Sequence, residues 1–394
     1  MNYKKYVMED ALEALIDYRG KTPKKSESGV LTLSAKSVKN NYIDYSLAYY
    51  ISEEEYKKFM VRGFPRRGDI LLTTEAPLGN VARLDRDNVA IAQRLLTLRG
   101  KEGIIDNNYL LYYLQSDYGQ FLLRSKETGT TVTGIKQSEF RKIELLIPPF
   151  EEQKRISNII ESVDIKKEIN DSIIKNLIEQ IETIYGLLLE KESDKWISLP
   201  LSKLVAVNKR GLTPSYVEDG IPVINQRCLR NKIIIDEAVQ YHDEKVKYDE
   251  ECVYKPYDVL INSMGVGTLG RISQVGELKE KRLIHSCITI LRANKNYNQF
   301  ILGAHLKHIQ KEIENMGEGT TGQTSLSNKE LGKITVPVPP VETQKQYGAF
   351  FRSIIDEITE LINENETLQR TRDLLLFKLI SNEIDEQKRN WSNI

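Results

Sequence analysis

The chain has 394 residues, and its 56 Lys+Arg against 56 Asp+Glu leave no net charge, which excludes a uniformly basic, polyanion-coating protein. The length favours two or three domains, each able to bury its own core. The opening MNYKKYVMED lacks an apolar signal region and no run approaches the ~18 apolar residues of a membrane span, so a cytoplasmic chain without membrane contact is expected. Cys228, Cys252 and Cys287 are odd in number and lack CxxC spacing, which points to neither a disulfide framework nor a zinc site.

Residues 1–149 read as a mixed α/β globule. GVLTLS from Gly29 and GDILLTT from Gly68 have strand composition between turn residues, and residues 108–123 have a helical pattern. The globule ends in ETGTTVTGIKQSEFRKI from Glu127, a loop of small and hydroxyl residues suited to phosphate contacts. Pro148 and Pro149 then stop the preceding strand and favour a helix start.

Residues 150–195 are expected as one long helix. Glu151 and Glu152 in its first turn suit the positive end of the helix dipole, so the phrase EEQK is either simply a good helix start or a partner-binding surface. Alternating steps of four and three connect Ile156, Ile160, Val163, Lys167, Asn170, Ile174, Leu177, Ile181, Ile184 and Leu188, a coiled-coil stripe with two polar interruptions.

Residues 196–340 form a second α/β globule, with strand-like IPVINQ, YDVLINS and CITILR and a helical stretch over 297–313. Residues 341–394 are expected as a second long helix and a C-terminal tail. Its seam runs through Tyr347, Phe351, Ile354, Ile358, Leu361, Asn365, Leu368, Arg372, Leu375 and Leu379. The interruptions fall at different places from those of the first helix, as suits two helices pairing with each other. The two globules carry a small basic excess and the two helical segments a small acidic one, which assigns any polyanion to the globules.

The second half repeats the first. A displacement of 191 residues takes Pro148 to Pro339, Glu151 to Glu342, Gln153 to Gln344, Lys154 to Lys345, and RGKTP at Arg19 to RGLTP at Arg210. So long a period is a duplicated domain, not a solenoid. Catalytic motifs are missing: there is no GxxxxGK[ST], HExxH or GxSxG. Gly265, Gly267 and Gly270 spell GxGxxG, but RISQVGEL after them reads as a strand, so a strand-connecting turn is expected. His305 and His308 share a helix face without a third ligand nearby, and Asp69 and Asp258 sit at strand starts where a turn role is expected.

Two α/β globules, each closed by a GTT-containing loop and followed by a long helix opening with IPPFEEQKR or VPPVETQKQ, resemble the DNA-specificity subunit of type I restriction-modification systems. The proline-proline-x-Glu-x-Gln-Lys starts at Pro148 and Pro339 and the GxTP entries at Gly20 and Gly211 carry the resemblance; Thr343 replaces the second Glu in the second copy. The resemblance implies two target-recognition domains separated by two long helices that pair as an antiparallel coiled coil, with an internal pseudo-twofold repeat. It also implies a non-catalytic subunit in which each globule reads one half of a bipartite double-stranded DNA site. The helices would set the spacing and dock two methyltransferase subunits, and motor-nuclease subunits through them. S-adenosylmethionine, ATP and magnesium are then expected in those partners and no cofactor in this chain. Glu151, Glu152, Gln153, Lys154, Glu342, Gln344 and Lys345 become candidate partner contacts.

The family has no base-reading motif to carry across, so candidates follow from chemistry. Arg, Lys, Asn and Gln can pair with purine edges, which selects Lys36, Lys39, Asn225, Gln226, Arg227 and Arg230 after matching strands, then Arg94 and His285 on later ones. Thr130, Thr131, Lys136, Thr320, Thr321 and Gln323 are expected on the phosphate backbone. The specificity subunit of a type IIB-like system, a coiled-coil scaffold and a stand-alone methyltransferase are the competing readings.

Overall fold

In the computed structural model, which describes residues 3–18, 22–128, 133–236, 239–265, 267–316 and 325–382, the strand-like runs near Gly29, Gly68, Ile221, Tyr257 and Cys287 are strands. Two compact units emerge: Met1–Lys166 with Leu368–Ile394, and Lys167–Thr367. This division differs from one at residues 149, 195 and 340, because each long helix shares its apolar seam with both units.

In the first unit an antiparallel sheet has the order Leu12–Asp17, Leu95–Gly100, Ile70–Thr74, Leu78–Arg83. Ile70–Thr74 is buried at every position. Successive side chains of a strand point to opposite faces. Ile70 and Leu72 therefore meet Tyr109, Tyr113 and the helical side, whereas Leu71 meets Leu33 and Ile91 of a second sheet. That sheet runs Lys25–Ser26, Tyr49–Ile51, Val30–Leu33, Val89–Ile91, and its last two strands are parallel.

The second unit repeats both sheets. Val205–Arg210, Ile288–Ala293, Val259–Asn262 and Ile272–Ser273 form the antiparallel one. Tyr216–Val217, Gln240–His242, Ile221–Ile224 and Leu283–Ile284 form the other, again with its last pair parallel. A buried ion pair is duplicated with them. Arg99 Nε and one Nη each donate to Asp69 at 2.8 Å, and Arg292 does the same to Asp258 at 2.6 and 2.8 Å. Each aspartate also accepts an amide of the preceding turn, from Arg66 at 2.8 Å and Lys255 at 2.9 Å, which gives it the expected turn role and a partner besides. Burial pushes the Asp258 carboxyl above its ordinary range, while Arg292 and the Lys255 amide pull it down.

The phrase that occurs twice is a mount. Phe150–Glu192 is one helix of 43 residues and Val341–Leu376 one of 36, continued by a π-helical turn over Phe377–Asn382. Gln153 Nε2 donates to the carbonyls of Pro148 (2.9 Å) and Ile104 (2.8 Å), and its Oε1 accepts from Asp106 N (3.0 Å). Gln344 likewise donates to Pro339 O (2.9 Å) and accepts from Asn298 N (3.0 Å). Asp106 and Asn298 are the N-caps of Asn107–Gln115 and Gln299–His308, so each glutamine clamps its long helix to the cap of a core helix. Both glutamine side chains are buried, at 1% and 7% exposure, which corrects the expectation that they face a partner. Gly348 completes the second mount, since a Cβ there would lie 2.3 Å from Asn298 Nδ2.

Every position of both expected seams is buried or half-buried. In the first unit Ile156 and Ile160 share a core with Leu376 and Ile380, and Arg372 Nε donates to Asp164 at 2.6 Å. Tyr112 also donates to Asp164 (3.0 Å), and Arg372 reaches Gln115 Oε1 at 2.5 Å. In the second unit the Tyr185 ring lies 6.5 Å from that of Phe351, while Asn170 Nδ2 donates to Glu364 (2.7 Å) and Asn365 (2.9 Å). Later residues of one helix thus meet earlier residues of the other, which is antiparallel pairing within each unit. The polar interruptions Asn170, through its Nδ2, Asn365 and Arg372 each hydrogen-bond across the seam. The seam does a second task as well, because Ile174, Ile178 and Ile181 also line the core of the second unit.

Candidate nucleic-acid interface

Parallel strands end at the same side of a sheet, so the segments that leave them are neighbours. In the first unit Val30–Leu33 leads into a turn closed by Ser37 N to Ser34 O (2.9 Å), with Lys36 exposed upon it. Its parallel neighbour continues past Ala92, whose amide donates to Leu33 O at 2.8 Å, to the exposed Arg94. In the second unit the matching turn is closed by Cys228 N to Asn225 O (3.0 Å) and carries the exposed Arg227. His285 N donates to Ile224 O at 2.9 Å, which places His285 beside that turn. Lys36 and Arg227 thus occupy equivalent turns, with His285 beside the second and its counterpart Ala92 beside the first, two residues before Arg94.

Other candidates are placed differently. Asn225 is buried at 2% exposure, and its Oδ1 accepts from Arg227 N (2.9 Å), an Asx turn that shapes the loop; base contact by this side chain is corrected. Gln226 is half-buried and accepts from Cys287 Sγ at 3.0 Å. Lys39 and Arg230 begin hairpin turns whose tips dock back on their own unit: Gln115 donates to Asn41 (3.2 Å), and Lys232 is ion-paired with Glu182. Lys136 is exposed two residues after Gly134, which bridges to Glu75. Thr130, Thr131, Thr320, Thr321 and Gln323 lie outside the described residues. Among the partner candidates Glu151 and Glu342 are highly exposed and pair with Lys154 (3.2 Å) and Lys345 (3.0 Å), and Glu152 with Arg155 (2.8 Å).

The two strand ends differ in electrostatics. Arg94 Nε lies 2.8 Å from Glu75 Oε1. In the second unit Cys287 takes the place of Arg94, and His285, the counterpart of Ala92, has its Nδ1 accepting from Cys287 N at 3.0 Å, so the neutral ring carries its proton on Nε2, 3.0 Å from the Tyr216 hydroxyl. Burial holds this imidazole below its ordinary pKa. A search for purine-pairing side chains missed Tyr216 and Tyr42, both more than half exposed. It missed Glu75 and Met264 too, although the repeat offered a signal, since both follow a matching strand and bridge to the closing segment, at Gly134 and Ser325.

Gly265, Gly267 and Gly270 adopt positive φ in a turn, and Ile272–Ser273 after them is a strand, as expected of a connection rather than a cofactor loop. Among the described residues no group of three or more His, Cys, Asp or Glu is placed to hold a metal ion, and no helix is long and apolar enough to cross a membrane.

A family model described as type I restriction modification DNA specificity domain matches the chain twice, over residues 8–182 and 195–370. The chain belongs to this family. The type I specificity subunit MjaIX of Methanocaldococcus jannaschii is 24% identical over 361 residues, covering 85% of this chain and 81% of that one. A second, described as a putative specificity subunit, MjaX of the same organism, is 22% identical over 96% of this chain and 92% of its own length. The crystal structure of a type I restriction-modification S subunit from M. genitalium shares the fold, with a TM-score of 0.59 and 18% identity over 96% of each chain. This type I specificity subunit is the DNA-recognition component of its system, works with other subunits, and is not itself the enzyme. Membership favours neither the scaffold, the methyltransferase nor the type IIB-like reading.

Proposed function

We propose that the first globule reads one half of a split, asymmetric duplex site through the end that carries Lys36 and Arg94, and the second globule the other half through Arg227, His285 and Tyr216. The observation that carries this reading is one sheet construction used twice with different exposed side chains at the same end. Base edges are told apart by such donors and acceptors, while lysines and loop hydroxyls hold phosphates. The loops containing Thr130, Thr131, Thr320, Thr321 and Gln323 take the phosphate role, with Lys136.

The helices fix the separation of the half-sites; 43 residues make a rod of about 64 Å. Half-sites one duplex turn apart, ~34 Å, lie on one DNA face within that reach. Two methyltransferase subunits dock on the paired helices, with Glu151, Glu152, Lys154, Glu342 and Lys345 at the two mounts as contacts. Motor-nuclease subunits join through them. S-adenosylmethionine, ATP and magnesium belong to those partners, and the complex works in the cytoplasm. Co-expression with the methyltransferase of the same system, followed by methylation sequencing with and without this chain, tests the proposal. A split motif that appears only with the chain is expected; identical methylation in its absence overturns it.

A further inference from the structure

We infer that Arg94 reads a guanine in the first half-site and that Glu75 is the positioning residue that aims it, an inference that rests on the proposed function. Among the described residues Arg94 is the one exposed cation at this sheet end whose backbone is held in the left-handed region, at φ 69°. A non-glycine residue rarely adopts that conformation, and such positions cluster where function over-determines the chain. Here its carbonyl accepts from Thr74 N at 3.0 Å, which ties the bend to the end of the buried central strand. The backbone is therefore fixed although the side chain is 46% exposed.

The side chain is aimed as well. Glu75, one residue beyond the same strand and only 21% exposed, places Oε1 2.8 Å from Arg94 Nε. Glu75 is itself anchored by its bridge to Gly134. A carboxylate on the Nε edge leaves the two terminal nitrogens facing outward, and these are the pair that matches guanine O6 and N7 in the major groove. A phosphate contact would need neither the fixed backbone nor the carboxylate, and a carboxylate beside a phosphate would oppose binding.

The second unit lacks the device. Met264 stands where Glu75 does, bridged to Ser325, and its sulfur lies 3.3 Å from Arg210 Nη1, while the buried Cys287, whose carbonyl accepts from Ser263 N at 2.8 Å, takes the place of Arg94. Guanine reading by this means is therefore confined to one half-site.

The test uses the methyltransferase complex of the full chain and duplexes of its methylated motif in which each guanine is replaced in turn by 7-deazaguanine. Binding is expected to fall roughly tenfold to a hundredfold at one position of one half-site. Arg94→Gln should abolish sensitivity at that position alone. Glu75→Ala should blunt it and Glu75→Asp partly restore it, while Arg94→Lys keeps the charge without the paired contact. If 7-deazaguanine has no effect at any position on the unaltered complex, or the Arg94→Gln complex keeps the full sensitivity, the inference is overturned. The specificity reading fails separately, if the methylated motif does not depend on this chain at all.

Discussion

The first and second globules have the same two sheets, the same buried aspartate-arginine pair and the same glutamine clamp, yet present different chemistry where their parallel strands end. Arg94 with Glu75 is charged, oriented and fixed in a rare backbone conformation. His285 with Tyr216 is a neutral hydrogen-bonding pair. Duplication has kept the framework and varied the side chains at its strand ends. Sequence change accumulates at little structural cost there because these ends are exposed and their backbone is held by hydrogen bonds from the strands.

The largest effect that sharpens the comparison concerns the shared framework. Asp69→Ala and Asp258→Ala each leave a largely buried guanidinium without its partner, at side-chain exposures of 14% and 15%. Each should destabilise its own unit by about 3–5 kcal/mol, measured by denaturant unfolding with hydrogen exchange to separate the units. Unequal losses would show that the two frameworks are not energetically equivalent.

Next comes a difference in acid sensitivity between the two cores. His305, on the helix Gln299–His308, is buried among Tyr185 and its neighbours, and burial lowers its pKa to about 4. The corresponding place on Asn107–Gln115 holds Tyr113, whose hydroxyl burial shifts upward, away from this range. An unfolded histidine, with a pKa near 6.5, takes up a proton before the folded one does. The stabilising difference is thus complete above about pH 6.5 and is lost as the pH falls toward 4, by roughly 2–3 kcal/mol. Hydrogen exchange at pH 7 and pH 4.5 should show the second unit loosening more than the first. His305→Tyr should shrink that gap; an equal response of both units would refute the assignment.

Much of this was legible in the sequence. Strands such as Val30–Leu33 and Val259–Asn262 announce themselves by β-branched runs between turn residues, and the 3.5-residue seam located both long helices to within a few residues. The roles of single polar residues were harder. Gln153 and Gln344 occur twice in an exposed-looking charged phrase, and the repeat was equally compatible with a docking surface; only the fold brings Asp106 N and Asn298 N to them. Asn225 has the chemistry of a base reader, but its side chain closes its own turn. Glu75 was overlooked because a search for cations and amides does not look for the carboxylate that orients one. Asp164 lies beside the seam, not on it, and its bond to Arg372 joins residues far apart in the chain.

The smallest effect bears on the two turns that do correspond. Lys36 and Arg227 occupy equivalent exposed places after Val30–Leu33 and Ile221–Ile224, so a shared phosphate-holding role and a divergent base-reading role give opposite expectations. If both hold phosphates, Lys36→Gln and Arg227→Gln should each weaken binding uniformly across sequences and lower the salt slope of log K by about one. Arg227, with its paired donors and its amide fixed by Asn225, has the geometry for a base edge that Lys36 lacks. The expected outcome is therefore asymmetric: Lys36→Gln changes the slope alone, and Arg227→Gln relaxes one base of the second half-site. Titration of the complex against duplex at several salt concentrations, with that half-site varied, separates the two. A uniform loss for both variants would extend the shared framework to the turns themselves and confine divergence to the Arg94 and His285 strand ends.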